Sequence, residues 1–169
     1  MKKIAFITLL AAFAAAPAVA ADFYAGVKLG QANYNYSNLT KNNPTGFGVF
    51  GGYTINQNFA VEAEYIDLGS IAAAGLSSKT DAWGVSAIGS YPINEQFSVF
   101  GKLGFARSTM KQTPAYTAKN TSATYGLGGQ YNASQSVGVR FGWERYKVGD
   151  ARTNTAGVNL YSVAGVFKF

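Results

Sequence analysis

The chain has 169 residues, with 14 Lys and Arg against 8 Asp and Glu, no His and no Cys. The missing cysteines exclude a disulfide framework. Missing His and Cys together also exclude nucleophilic and general-base mechanisms that depend on an imidazole or a thiol. Charged residues are 13% and aromatics 15% of the chain. That is poor solvation for a soluble exported domain, where about 25% charge is usual.

The N-terminus comes first. Lys2 and Lys3 precede an uncharged apolar run from Ile4 to Ala16, and Ala18-Val19-Ala20 supplies a small-x-small cleavage pattern. This reads as a signal peptide over 1–20. The run is short for a membrane anchor, which needs about 20 residues. The mature chain is expected to start at Ala21, with 21–169 forming one domain.

From there the period is two. Phe23, Ala25, Val27 and Leu29 alternate with Tyr24, Gly26, Lys28 and Gly30. Phe59, Val61, Ala63 and Tyr65 alternate with Ala60, Glu62 and Glu64. The same holds from Phe97 to Phe105 and from Val137 to Trp143. Alternation of this length means strands with two unlike faces. Short polar turns recur at 54–58, 92–96 and 132–136, and longer polar stretches fill 33–44, 69–79, 108–120 and 147–157. Eight strands are expected, near 23–32, 45–54, 59–68, 80–91, 97–107, 121–131, 137–146 and 158–169. The lengths suit tilted membrane strands of about 9–11 residues. The fold class is therefore all-β: an eight-stranded antiparallel transmembrane up-and-down β-barrel, with the tight turns on the periplasmic side.

A soluble eight-stranded barrel would carry the aromatic register inside. The other register argues against that. It holds many glycines and few charges, which suits a narrow filled lumen rather than a solvated face. The aromatic register is also banded. Phe23, Tyr53, Phe59, Tyr91, Phe97 and Tyr131 lie by the tight turns, and Phe47, Tyr65, Trp83, Phe105, Trp143 and Tyr161 lie toward the loops. Val27, Val49, Ala87 and Leu127 lie between them. Two aromatic girdles around an aliphatic band are what a bilayer selects.

The inward register carries Lys28, Glu62, Glu64, Lys102, Arg140 and Glu144, three charges of each sign. Most stand four to six residues above the tight turns, with Glu144 higher. Buried charges must pair, so a structural plug is expected, with a weak ion gate as the rival. The segment "GFGVFG" at 46–51 matches a dinucleotide fingerprint by letter, but no helix follows it, so its glycines read as strand residues. No motif implies a metal or another cofactor. Near the long loops, Lys41, Lys79, Arg107, Lys111, Lys119, Lys147 and Arg152 outnumber Asp67, Asp81 and Asp150. A basic rim of this kind suits lipopolysaccharide phosphates or acidic host surface molecules. Charges this dispersed on an exported chain do not suit nucleic acid.

The stretches "FYAGVKLG" (23–30), "GVFGGYTINQNFAVEAEYIDLG" (48–69), "GSYPINEQFSVFGKLGFAR" (89–107) and the closing "VAGVFKF" resemble the OmpA transmembrane domain and its small relatives of the OmpX/Ail and opacity-protein kind. The resemblance covers the whole mature chain. It implies a Gram-negative outer membrane, surrounding lipid and lipopolysaccharide, and a structural, surface-exposed role in envelope integrity and adhesion. The alternative it implies is a small low-conductance pore. The anchoring role of full-length OmpA is not carried over, since no peptidoglycan-binding segment is read here. The family holds an interior Lys, Glu and Arg in a charge cluster, and Lys28, Glu62 and Arg140 fall on those positions. Where the family has a second acid on the sixth strand, this chain has Gln130. The terminal aromatics Tyr161, Phe167 and Phe169 resemble the signal read by the outer-membrane barrel assembly machinery. Barrel enzymes of similar architecture depend on a histidine, which is absent, so an enzyme is not expected.

Overall fold

Strands β1 (Phe23–Tyr34), β2 (Thr45–Thr54), β3 (Phe59–Ala73), β4 (Leu76–Pro92), β5 (Phe97–Gln112), β6 (Tyr116–Asn132), β7 (Val137–Asp150) and β8 (Asn154–Lys168) pair each with the next, and β8 returns to β1. The result is a closed, antiparallel, eight-stranded barrel, seen in a computed structural model. The structure describes residues 22–34, 43–73, 76–112, 116–150 and 154–169. The expected signal peptide, Lys41 and Arg152 lie outside them.

One chemical device repeats in all three tight turns. The Asn56 side-chain oxygen accepts from the backbone N–H of Asn58 and Phe59, both at 2.9 Å. Asn94 does the same for Gln96 (2.9 Å) and Phe97 (2.7 Å). Ser134 does it for Ser136 (3.3 Å) and Val137 (3.1 Å). A short polar side chain that mimics the next backbone carbonyl closes the turn locally. Closure of the barrel runs from Tyr24↔Lys168 to Tyr34↔Val158, and the Phe169 N–H donates to the Phe23 carbonyl at 3.0 Å. Every strand thus has two neighbours within the bilayer, where an open edge cannot face lipid.

The strands on the loop side are longer than the alternation suggested. The stretches 69–79, 108–120 and 147–157, read as loops, are mostly strand: pairing continues to Ala73↔Leu76, Gln112↔Tyr116 and Asp150↔Asn154. These extensions stand beyond the upper aromatic girdle, where water rather than lipid meets the outer face. The apolar–polar contrast that marks a membrane strand is lost there, while Thr and Ser still favour extended backbone. At the base of the β3 extension, Gly69 has φ +81° and shifts the register between Asp67 and Ser70. The Asp67 carboxylate accepts from its N–H at 2.9 Å, and a Cβ there would lie 2.6 Å from Pro44.

The aromatic register faces out. Tyr91 and Phe105, one in each girdle, are both 70% exposed, and Leu29, Val85, Leu103 and Leu127 are exposed between the girdles. Lys28, Glu62, Ser86, Lys102 and Glu144 are buried in the lumen. A soluble barrel with an aromatic interior is therefore excluded. "GFGVFG" lies within β2, which turns directly into β3.

The lumen as candidate functional site

The barrel register assembles the charge cluster. Lys102 on β5 pairs with Gly126 on β6, which pairs with Glu144 on β7. Lys28 on β1 pairs with Ala164 on β8, which pairs with Arg140 on β7. Small residues between the charges leave the space through which long side chains meet. A Cβ on Gly126 would lie 2.8 Å from the Glu144 side chain.

All six expected interior charges come together. Lys102 Nζ is the hub, at 2.8 Å from Glu64, 2.8 Å from Glu144 and 3.1 Å from Glu62. Lys28 reaches Glu144 at 2.6 Å and also pairs with Glu64. Arg140 meets Glu62 at 2.6 Å. Glu144 does not stand apart above the rest, as its position along β7 had suggested, because the strand stagger brings it level with both lysines. The cluster is neutral. In a low-dielectric interior that balance is what makes six charges tolerable.

Four inward aromatics complete the cluster, and the sequence reading missed their role. Tyr24 donates to Glu62 at 3.1 Å. Tyr146 donates to Glu144 at 3.1 Å and also to Glu64. The Arg140 guanidinium lies 5.5 Å from the Tyr24 ring and 5.1 Å from those of Phe50 and Phe100, within cation–π range. A readable sign existed in the pairing. Tyr24 faces Gly52, Phe50 faces Gly26, and Phe100 faces Gly128, so each ring fills the space that a glycine vacates. A Cβ at Gly26 would fall 2.2 Å from Phe50, and one at Gly52 would fall 2.2 Å from Tyr24. Gln130, at the position where the resemblance implied an acid, accepts from Arg140 Nε at 3.1 Å. Glu64 and Glu144 take the lysines instead.

On the loop side of the charges the lumen carries an apolar group beside buried Thr80, Ser108, Asn120 and Thr124. Ile66, Leu68, Val148, Val158 and Leu160 pack there with at most 1% exposure. At the opposite end, a cavity of about 200 Å³ opens between the tight turns, with Arg140, Gln130 and Phe100 among its lining.

The remaining expected residues are placed as follows. Tyr161 and Phe167 face outward and are exposed, while Phe169 is half-buried beside β1. Lys79, Arg107, Lys111, Lys119 and Lys147 are exposed on the extended strands rather than in loops. Arg107 pairs with Trp83 at the girdle, and Lys79 pairs directly with Lys111 four residues farther along each strand. Lys79 turns to Asp67 at 2.8 Å.

The family model described as "Outer membrane protein beta-barrel domain" matches residues 5–161. The chain belongs to the outer-membrane protein β-barrel family. Outer membrane protein X of Escherichia coli K12, a relative, is 30% identical over 94% of this chain and 98% of its own length. Outer membrane protein P5 of Haemophilus influenzae is 32% identical over 85% of this chain, which spans only 51% of P5. Ail of Yersinia pestis superposes with a TM-score of 0.67 at 20% identity, covering 89% of this chain and all of Ail. A second Ail structure, in complex with the heparin analogue sucrose octasulfate, gives 0.63 at 20% identity, covering 88% of this chain and 99% of that one. Neisserial surface protein A gives 0.69 at 20% identity, covering 87% and 97%. At that identity the structures show a shared fold. As a family member, this is an outer-membrane barrel protein of a Gram-negative bacterium and not an enzyme.

Proposed function

We propose that this protein serves the envelope as a sealed barrel with an adhesive outer belt, not as a pore. The observation that carries this reading is the buried apolar layer of Ile66, Leu68, Val148, Val158 and Leu160 above a fully paired charge cluster. An ion entering that layer loses most of its hydration shell and meets little to replace it beyond the buried Thr80, Ser108 and Thr124 hydroxyls. The purified barrel in planar bilayers is expected to give no reproducible channel steps. Steady single-channel currents that depend on the inserted protein reverse the choice in favour of the pore.

The belt supports the surface role. Arg107, Lys111, Lys79 and Lys119 project outward on three adjacent strands at and just above the girdle marked by Trp83 and Phe105. Lys79 and Lys111 stand directly opposite; the Asp67 carboxylate at 2.8 Å compensates Lys79, and the charge of Lys111 is left to meet an anion from outside. That is the height at which phosphates of the outer leaflet stand, and the same cations would meet acidic polysaccharide from outside. The sulfated ligand in the Ail complex is chemistry of the same class. Replacing these four residues by Gln is expected to weaken binding to lipopolysaccharide-containing vesicles at least tenfold at physiological salt, with the barrel still folded. Unchanged binding removes the belt from the proposal.

A further inference from the structure

The periplasmic mouth holds a feature that neither the seal nor the belt uses. Its cavity of about 200 Å³ is far larger than the roughly 10–15 Å³ a single water requires. One wall is a chain of hydrogen bonds. Arg140 Nε donates to Gln130 Oε1 at 3.1 Å, Gln130 Nε2 donates to Asn132 Oδ1 at 2.8 Å, and Lys168 Nζ donates to the same oxygen at 3.0 Å. The direction of this chain is fixed from both ends. Arg and Lys can only donate, so each amide must turn its oxygen toward its cation.

The consequence is a polarity. The Asn132 oxygen already accepts twice and the Gln130 oxygen accepts from Arg140. What the array has left to offer is mainly N–H: the remaining Lys168 hydrogens, the Asn132 amide group and the second Gln130 hydrogen, against one lone pair on the Gln130 oxygen. Charge points the same way. The six-charge cluster balances itself, and among the described residues no Asp or Glu side chain ion-pairs with Lys168. Glu95 lies in the lining but pairs with neither Lys168 nor Arg140. A Cβ at Gly138 would stand 3.1 Å from Asn132 Oδ1 and crowd it.

We propose that this mouth is a binding site for an oxyanion, a phosphate or carboxylate group presented from the periplasm, held by Lys168, Asn132 and Gln130. The barrel would then carry two anion-binding surfaces, one on each side of the membrane, separated by the seal.

The intact, isotope-labelled barrel in a phosphate-free nonionic detergent tests this. Inorganic phosphate and acetate are titrated separately while the side-chain amide signals of Gln130 and Asn132 are followed by NMR. A saturable shift is expected. Lys168→Met and Gln130→Glu are expected to weaken it at least tenfold, while both variants keep the heat-dependent gel mobility of a folded barrel. Short-chain phosphatidylglycerol forms a third arm; a saturable response to it alone assigns the same site to an inner-leaflet headgroup. Shifts that only track ionic strength, or undiminished binding by Lys168→Met, overturn the proposal.

Discussion

Lys102→Met is expected to destabilise the refolded barrel by about 3–5 kcal/mol, the usual cost of breaking a buried ion pair by removing one partner. Lys102 is the only residue of the cluster that touches all three acids, at 2.8–3.1 Å. Its loss leaves Glu62, Glu64 and Glu144 to share Lys28 and Arg140, and the lumen gains an uncompensated negative charge. Methionine keeps most of the packed volume, so the effect reports charge rather than a cavity. Urea unfolding in micelles measures it. Adding Glu144→Gln to the same chain restores neutrality and is expected to recover a large part of the loss. A cost below about 1 kcal/mol, with no recovery in the double variant, means that lumen water solvates these groups and the cluster is not a dry plug.

Leu127→Arg tests the other face. Leu127 is exposed between Gly101 and Trp143, within the aliphatic band. Arginine at the bilayer midplane of a barrel costs roughly 2–4 kcal/mol, falling to about 0–1 kcal/mol near an interface. Thr121 is the control: it lies on the same outward register of β6, beside Arg107 at the girdle. Unfolding in phospholipid vesicles should therefore penalise Leu127→Arg by roughly 1–4 kcal/mol more than Thr121→Arg. Equal penalties at the two positions mean that the band does not lie where the girdles place it.

The legibility of this chain followed the lipid. Within the bilayer one face must be apolar, so β3 and β5 declared themselves by alternation, and Asn56 and Asn94 marked the turns before them by residue type. Above the bilayer that constraint vanishes. The β6 segment from Tyr116 to Asn120 has no apolar register and reads as loop, although it is strand. Inside the barrel the charged residues were found because charge inside a membrane protein is rare. The apolar cap was not, because Ile66 and Leu68 look like outward residues unless the register through Glu62 and Glu64 is followed to its end. The reach of Glu144 depended on strand stagger, which cross-strand pairing fixes and a single strand does not reveal. The Arg140 cage needed two strands read side by side, since only then does each ring find its glycine.

The pairing of β8 with β1 has a kinetic side. The other seven ladders join neighbours in sequence, and hairpins of that kind form with little loss of chain freedom. The last ladder joins residues from opposite ends of the chain, Tyr24 with Lys168. Each doubling of an enclosed loop adds about 0.6 kcal/mol of lost conformational entropy, so about five doublings separate this closure from a hairpin, or about 3 kcal/mol. Long-range pairing of this kind is slow. Until it occurs, β1 and β8 both offer unpaired backbone groups that bind any other extended chain. Folding therefore stays exposed to wrong pairing until the final strand arrives, and the residues of β8 set how long that exposure lasts.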